Sequence, residues 1–183
     1  MKKIIKGKNF NLIRFKKGDE KLYELVYTIF NDEILEDFIY PEYLKFKSKS
    51  SVKKWVDLNA ESKCEVWYTI NTKGKYIGYI CCKAKESFCE VCELSIVLIK
   101  GYRGFETGYQ ITKTLIDYLV SKKYFKYIIA YSNKKNRLTD KLLRKLGFKK
   151  TNKLHEKITK RLYSEKSSLN IILNNNLFSI SIK

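Results

Sequence analysis

A chain of 183 residues, 44% of them apolar and 14% aromatic, can bury the core of one compact domain, which excludes a disordered chain. No apolar run approaches the roughly 20 residues of a membrane span, and in the opening MKKIIKGKNFNLI the residues Lys6, Lys8 and Asn9 interrupt the apolar core a signal peptide needs, so a soluble, cytoplasmic protein is expected. The formal net charge of +19 attracts polyanions, and contact with RNA or the ribosome fits it, but lysine, isoleucine and asparagine are abundant together, and neither zinc-finger spacing nor an RNA-recognition aromatic motif accompanies the charge.

In chain order, FNLIRF (10–15) reads as a first strand. DEKLYELVYTIF (19–30) carries Leu22, Leu25, Val26 and Ile29 on one helical stripe. SVKKWVDLNA (51–60) is a second helix with Ser50 or Ser51 as its cap. Three strands follow, EVWYTINT, KYIGYICCKAK and FCEVCELSIVL, with a turn at Lys73-Gly74 and a break around Lys85–Ser87. The loop GYRGFETGYQ (101–110) then opens a helix whose stripe is Ile111, Leu115, Ile116, Leu119 and Val120. FKYIIAYS (125–132) is a strand buried by its composition, and NRLTDKLLRKLGF is a helix ended by Gly147. Residues 149–173 supply a final hairpin, and the stretch from 174 onwards has no assigned role. The order is β-α-α-β-β-β-α-β-α-β-β, a mixed α/β single domain over 1–174 with a C-terminal tail at 175–183.

The five cysteines, Cys64, Cys81, Cys82, Cys89 and Cys92, are an odd number, and they read as buried reduced thiols. Cys89 and Cys92 form a CxxC, but on a strand positions three apart face opposite ways, so their sulfurs do not converge on zinc. No metal is expected.

The loop at 101–110 is the natural anion site, because its amides and the helix amino end both point positive charge at a ligand. Here the chain resembles the GNAT superfamily of acyl-CoA-dependent N-acetyltransferases. LSIVLIKGYRGFETGYQ looks like that family's pyrophosphate loop, Arg/Gln-x-x-Gly-x-Gly/Ala, with Arg103 and Gly108 at its ends and Glu106 in place of the middle glycine. NRLTDKLLRKLGF looks like its Asn-x-x-Ser/Ala helix, with Asn136, Thr139, Gly147 and Phe148 fitting. GKYIGYICC, CELSIVL and RLYSEKSSLNIIL resemble strands of the branch that acetylates ribosomal-protein amino termini, spermidine or aminoglycosides. The resemblance implies a mostly antiparallel sheet flanked by helices, acetyl-CoA as co-substrate, and a monomer or homodimer.

It also implies roles. The backbone of Val97, Leu98 and Ile99 lines the pantetheine, with the Leu98 amide at the thioester carbonyl. Arg103, Gly104, Phe105, Glu106, Thr107, Gly108 and Tyr109 wrap the pyrophosphate. Glu93 is the base for the amine, or else a strand carboxylate paired with a lysine. Many relatives place a tyrosine acid where this chain has Leu143, and Thr139 either donates in its stead or bonds locally within its helix. Asn136 holds the cofactor arm or starts that helix. Glu106 is expected to point outward, where it leaves its amide to the ligand and suits the helix amino end.

The acceptor amine meets the segment NDEILEDFIYPEYL (31–44), which has acids and no base. Asp32, Glu33, Glu36 and Asp37 attract a cation and Tyr40 walls it, or the segment is an ordinary solvated helix-turn face. The acceptors that fit are a peptide amino terminus, a lysine, a polyamine or an aminoglycoside. An RNA-linked amine fits the basic surface, and Glu106 with Leu143 also fits a fold that binds without catalysing.

Overall fold

The computed structural model of the chain describes residues 1–36, 38, 46–84, 90–151 and 174–182. Its elements are β1 (Ile4–Lys6), β2 (Asn11–Arg14), α1 (Glu20–Phe30), α2 (Glu33–Glu36), α3 (Lys49–Ala60), β3 (Glu65–Thr72), β4 (Lys75–Lys83), β5 (Val91–Leu98), α4 (Phe105–Lys122), β6 (Tyr127–Asn133), α5 (Arg137–Lys145), β7 (Lys149–Lys150) and β8 (Asn175–Ser181).

α1 and α3 start where short polar side chains satisfy their first amides. The Asp19 carboxylate accepts from the Leu22 amide at 3.1 Å to open α1. Ser48, rather than the expected Ser50 or Ser51, accepts from the Ser51 amide at 3.2 Å and opens α3. Between β3 and β4, Lys73 and Gly74 both hold positive φ, 50° and 82°, the two-residue turn whose twist matches the flanking strands.

The strands form one sheet in the order β1-β2-β3-β4-β5-β6-β8-β7. Every neighbouring pair is antiparallel except β5 and β6. One face packs on α4, where Ile111, Leu115 and Leu119 meet Ile80, Leu94 and Ile128. The other face packs on α1 and α3, where Trp55 meets Trp67 edge-on at 4.9 Å between ring centroids.

Two expectations are corrected. The tail at 175–183 instead contains β8, which pairs with β6 from Tyr127↔Ser181 to Asn133↔Asn175 and buries Leu177 and Phe178 completely. Cys82 and Cys92, expected as separate thiols, are joined across β4 and β5 with Cα atoms 5.9 Å apart. They lie diagonally on the α4 face, because Cys82 is opposite Leu94 in the register. Cys81 is a buried free thiol, and Cys89, the break near Lys85–Ser87 and most of the hairpin at 149–173 lie outside the described residues. Among those described, no group of three or more His, Cys, Asp or Glu gathers as a metal would require, and no helix is long and apolar enough to cross a membrane.

Candidate active site

β5 is paired differently along its two edges. Towards β4 the register runs unbroken from Gly78↔Leu98 to Lys83↔Glu93. Towards β6 it consists of Val91↔Tyr127, Cys92↔Ile128 and Glu93↔Ile129 alone. Beyond Glu93 the two strands part, and a cavity of about 250 Å³ opens between Leu94–Leu98 and Ala130–Asn133, closed on its sides by α4 and α5.

Backbone alternation decides what β5 offers this cavity. The Ile99 amide donates to the Ile77 carbonyl at 3.0 Å, so that amide points to β4. Peptide groups alternate along a strand, so the Leu98 carbonyl and amide point the other way, into the cleft. The Leu98 carbonyl is taken there by Arg103, whose Nε donates to it at 2.8 Å. Of Val97, Leu98 and Ile99, it is thus Leu98 whose N–H faces the open side. Gly78 sits behind this point: a Cβ on it would stand 2.2 Å from the Val97 carbonyl oxygen, so only glycine lets β4 pass the end of β5.

The loop after β5 turns on Gly101, at φ 87°, and enters α4 at Gly104, a cap without a side chain. The first intrahelical bond is Gly108 N–H to Gly104 carbonyl, 3.0 Å. That leaves the amides of Gly104, Phe105, Glu106 and Thr107 at the helix end, while those of Gly108 and Tyr109 lie inside the helix. A Cβ on Gly108 would make only an ordinary contact with the Leu142 side chain on α5, at 3.4 Å. At Gly104 a Cβ would meet nothing within 4 Å, so the cradle is open. Glu106 is exposed and runs along the helix, its Oε1 accepting from Gln110 Nε2 at 2.7 Å. The Tyr109 and Phe105 rings stack at 6.3 Å, with Lys145 Nζ 4.6 Å from the first and 5.0 Å from the second, and Lys141 Nζ 5.5 Å from Phe105. Two cations therefore stand beside the loop.

The remaining expected residues divide. Asn136 caps α5: its Oδ1 accepts from the Thr139 amide at 3.0 Å, and both residues line the cavity. Leu143 lines it too, an apolar group without a proton to give. Glu93 is buried on the opposite face of β5 from Leu94, 3.7 Å from Lys83 Nζ, and does not reach the cavity lining. Two positions along, Ser95 does. On the acceptor side, Asp32 forms an ion pair with Arg103. Burial raises its carboxyl, but the Arg103 guanidinium more than offsets this and holds it below the ordinary carboxylate value. Glu33 is exposed, Glu36 ends α2, and the Glu36 side chain, Asp37 and Tyr40 lie outside the described residues.

Sequence reasoning missed Thr112. It is completely buried in α4, lines the cavity, and its Oγ1 has no hydrogen-bond partner. An orphaned hydroxyl beside a cavity fits a ligand that brings its own polar atoms. The signal was a polar residue inside the apolar stripe between Ile111 and Leu115. Ser132, also buried, faces the same space from β6.

The family described as "Acetyltransferase (GNAT) domain" matches residues 10–149. Among solved structures, the chain is similar to the ribosomal L7/L12 alpha-N-protein acetyltransferase RimL in complex with coenzyme A, with 13% identity, TM-score 0.76 and 98% of each chain covered. It is also similar to the Vibrio cholerae spermidine N-acetyltransferase in complex with CoA and spermine, with 12% identity, TM-score 0.73, and 95% of this chain and 96% of that one covered. For the ribosomal-protein-S5-alanine acetyltransferase of Vibrio fischeri the identity is 16% and the TM-score 0.71, over 98% of this chain and 97% of that one. At these identities the likeness is one of fold. No curated protein sequence matches the chain.

Proposed function

Because the chain belongs to the GNAT acetyltransferase family, we propose that it transfers an acetyl group from acetyl-CoA to a primary amine by direct attack. The observation that carries this reading is the parting of β5 from β6 beyond Glu93, which leaves the Leu98 amide facing an open cleft. Bound acetyl-CoA supplies the acetyl group as a thioester.

The chain's own residues bind, orient and move protons. Backbone at Leu98 and the Thr112 hydroxyl meet the arm of the cofactor, and the Leu98 N–H is a fixed donor for a carbonyl oxygen that gains negative charge. The amides of Gly104, Phe105, Glu106 and Thr107 meet the pyrophosphate at the positive end of α4, with Lys141 and Lys145 beside them. Asn136 keeps α5 and Thr139 in place. Glu93 takes the amine's proton through water, because its carboxylate lies on the same face of β5 as Ser95, two positions before that residue, and does not line the cavity itself. Thr139 Oγ1 hands a proton to the departing sulfur. A thiol with an ordinary pKa near ~8.5 leaves readily, so the chemistry tolerates Leu143 in place of a stronger acid.

The acceptor enters between β5 and the α1–α2 corner. Among the described residues, its walls are Leu35, Phe38 and Tyr79, which are apolar or aromatic. The Asp32 charge is already answered by Arg103. These walls seat apolar or aromatic side chains beside the amine, as the first residues of a peptide provide. The test is thiol release from acetyl-CoA across a panel of short peptides, lysine, spermine and aminoglycosides. Turnover greatest with peptides supports the reading in full. Turnover greatest with spermine keeps the chemistry and overturns the acceptor, and no acetyl-CoA binding by calorimetry overturns both. A steep loss of activity with salt would favour an RNA-linked acceptor instead.

A further inference from the structure

Arg103 belongs to the loop that enters α4, yet its side chain turns away from the helix end. Nε donates to the Leu98 carbonyl at 2.8 Å, and Nη2 donates to Asp32 Oδ2, a residue 71 positions away on the α1–α2 corner. Asp32 in turn builds that corner. Its Oδ1 accepts from the Ile34 amide at 3.1 Å, and its carbonyl accepts from the Leu35 amide at 2.9 Å. Leu35 carries the next bond, its carbonyl accepting from Phe38 N–H at 2.9 Å, and the Leu35 and Phe38 side chains wall the cavity. One arginine of the cofactor loop is therefore tied to the backbone at the end of β5 and, through Asp32, to the corner that carries the acceptor wall.

We infer that Arg103 is a positioning residue that links occupancy of the cofactor loop to the seating of the acceptor wall through Asp32. The inference rests on the reading that the loop binds acetyl-CoA. The physical argument is geometric. A planar fork fixes the relative place of its two acceptors, whereas a lysine ammonium on a flexible stem does not. The pair is largely shielded, with the Arg103 and Asp32 side chains 26% and 17% exposed, so it is screened less than a surface pair. A ligand held by the Gly104–Thr107 amides restrains the loop, hence Arg103, hence Asp32 and the amides it holds. The same tie means that the Arg103 charge is spent on a carboxylate, not on a phosphate.

The test is hydrogen exchange of the intact protein, with and without acetyl-CoA, beside calorimetry with acetyl-CoA, for wild type, R103K, R103Q and D32N. Without ligand, R103Q is expected to speed exchange at residues 31–36, and D32N to speed it at 98–103. Acetyl-CoA is expected to slow exchange at 31–36 at least threefold in the wild type and to lose that effect in all three variants. Its affinity for the loop is expected to stay within threefold throughout. With an amine that turns over, acceptor KM rises about tenfold while kcat changes less, and R103Q/D32N is no worse than either single variant. The inference is overturned if R103Q weakens acetyl-CoA binding tenfold or more with exchange at 31–36 unchanged, since Arg103 would then be a phosphate ligand. It is also overturned if the two substitutions act additively. Absence of acetyl-CoA binding to the wild type overturns the functional reading instead, and the ligand-free exchange still decides whether the tie exists. A thermal midpoint for each variant separates these outcomes from misfolding, and R103K, which keeps the charge, serves if R103Q does not fold.

Discussion

The two edges of β5 face opposite fates. Its edge towards β4 is a closed ladder, tight enough that only Gly78 fits opposite its end. Its edge towards β6 is paired at three positions and then open. The same backbone groups that give a sheet its cohesion on one side are left open to a ligand on the other, merely because a neighbour turns away. Rigidity on the closed edge is what makes the open edge useful, since an amide serves as a fixed donor only if its strand cannot shift.

Substitutions can break this contrast in graded ways. The largest loss is expected from Glu93→Gln, on the stretch where both edges are still paired. A general base contributes roughly 10²–10⁴-fold, so kcat/KM for the amine should fall at least a hundredfold. Breaking the buried pair with Lys83 should also lower the thermal midpoint, and a lower midpoint with kcat/KM for the amine unchanged would assign Glu93 to the ion pair alone. Next is Gly78→Val, which forces the closed edge apart. The added Cβ meets the Val97 carbonyl at 2.2 Å, and a misplacement of about 1 Å can cost ~10²-fold, so activity should drop ten- to a hundredfold with acetyl-CoA binding weakened in parallel. Unchanged acetyl-CoA binding would show that the end of β5 is not where the arm lies.

Thr112→Val sharpens the open edge, because its two effects have opposite sign. Removing a buried hydroxyl without a partner should stabilise the free protein by about 1 kcal/mol. The same change should weaken acetyl-CoA binding by up to ~10-fold, the worth of one hydrogen bond. Calorimetry and thermal unfolding on one sample check both. The smallest effect is expected from Glu106→Gly. The carboxylate is exposed and bonded along the helix to Gln110, so its removal should tighten acetyl-CoA binding about two- to threefold and cost a little stability from glycine in the first turn. Equal or weaker binding would mean that the glutamate is no obstacle in the loop.

Titration should leave this contrast alone near neutrality. The Asp32 carboxyl is held below its ordinary value. A depressed carboxylate contributes its stability above the unfolded value and loses it as pH falls through the folded one. The Arg103–Asp32 tie is thus complete across the neutral range and fades only in acid.

The sequence made the stretch from β3 to α5 legible, because its periods change cleanly between alternation and helical stripes and its turns carry glycine. It made β8 illegible. NNLFSIS opens with asparagines, which disfavour strands, and only the vacancy between β6 and β7 makes a strand of it. Within the site, residues carried by a local motif, such as Gly104 and Asn136, could be read in order. Asp32 with Arg103, Cys82 with Cys92, and Thr112 with its cavity could not, because each acquires meaning from a partner that folding brings near. On its charge alone Asp32 reads as a ligand for the acceptor, because the arginine that answers it lies 71 positions away in the chain.

The position of β8 also has a consequence for how the protein is made. β6 ends at Asn133, whereas its partner begins at Asn175. During synthesis at roughly 5–20 residues per second, the nascent chain therefore carries an unpaired, apolar β6 edge for several seconds after that strand has left the ribosome. Strand edges of this kind recruit other strands. The protein depends on its own latecomer arriving before a neighbour does, which makes the yield of folded molecules sensitive to translation speed and to chaperones that shield the edge meanwhile.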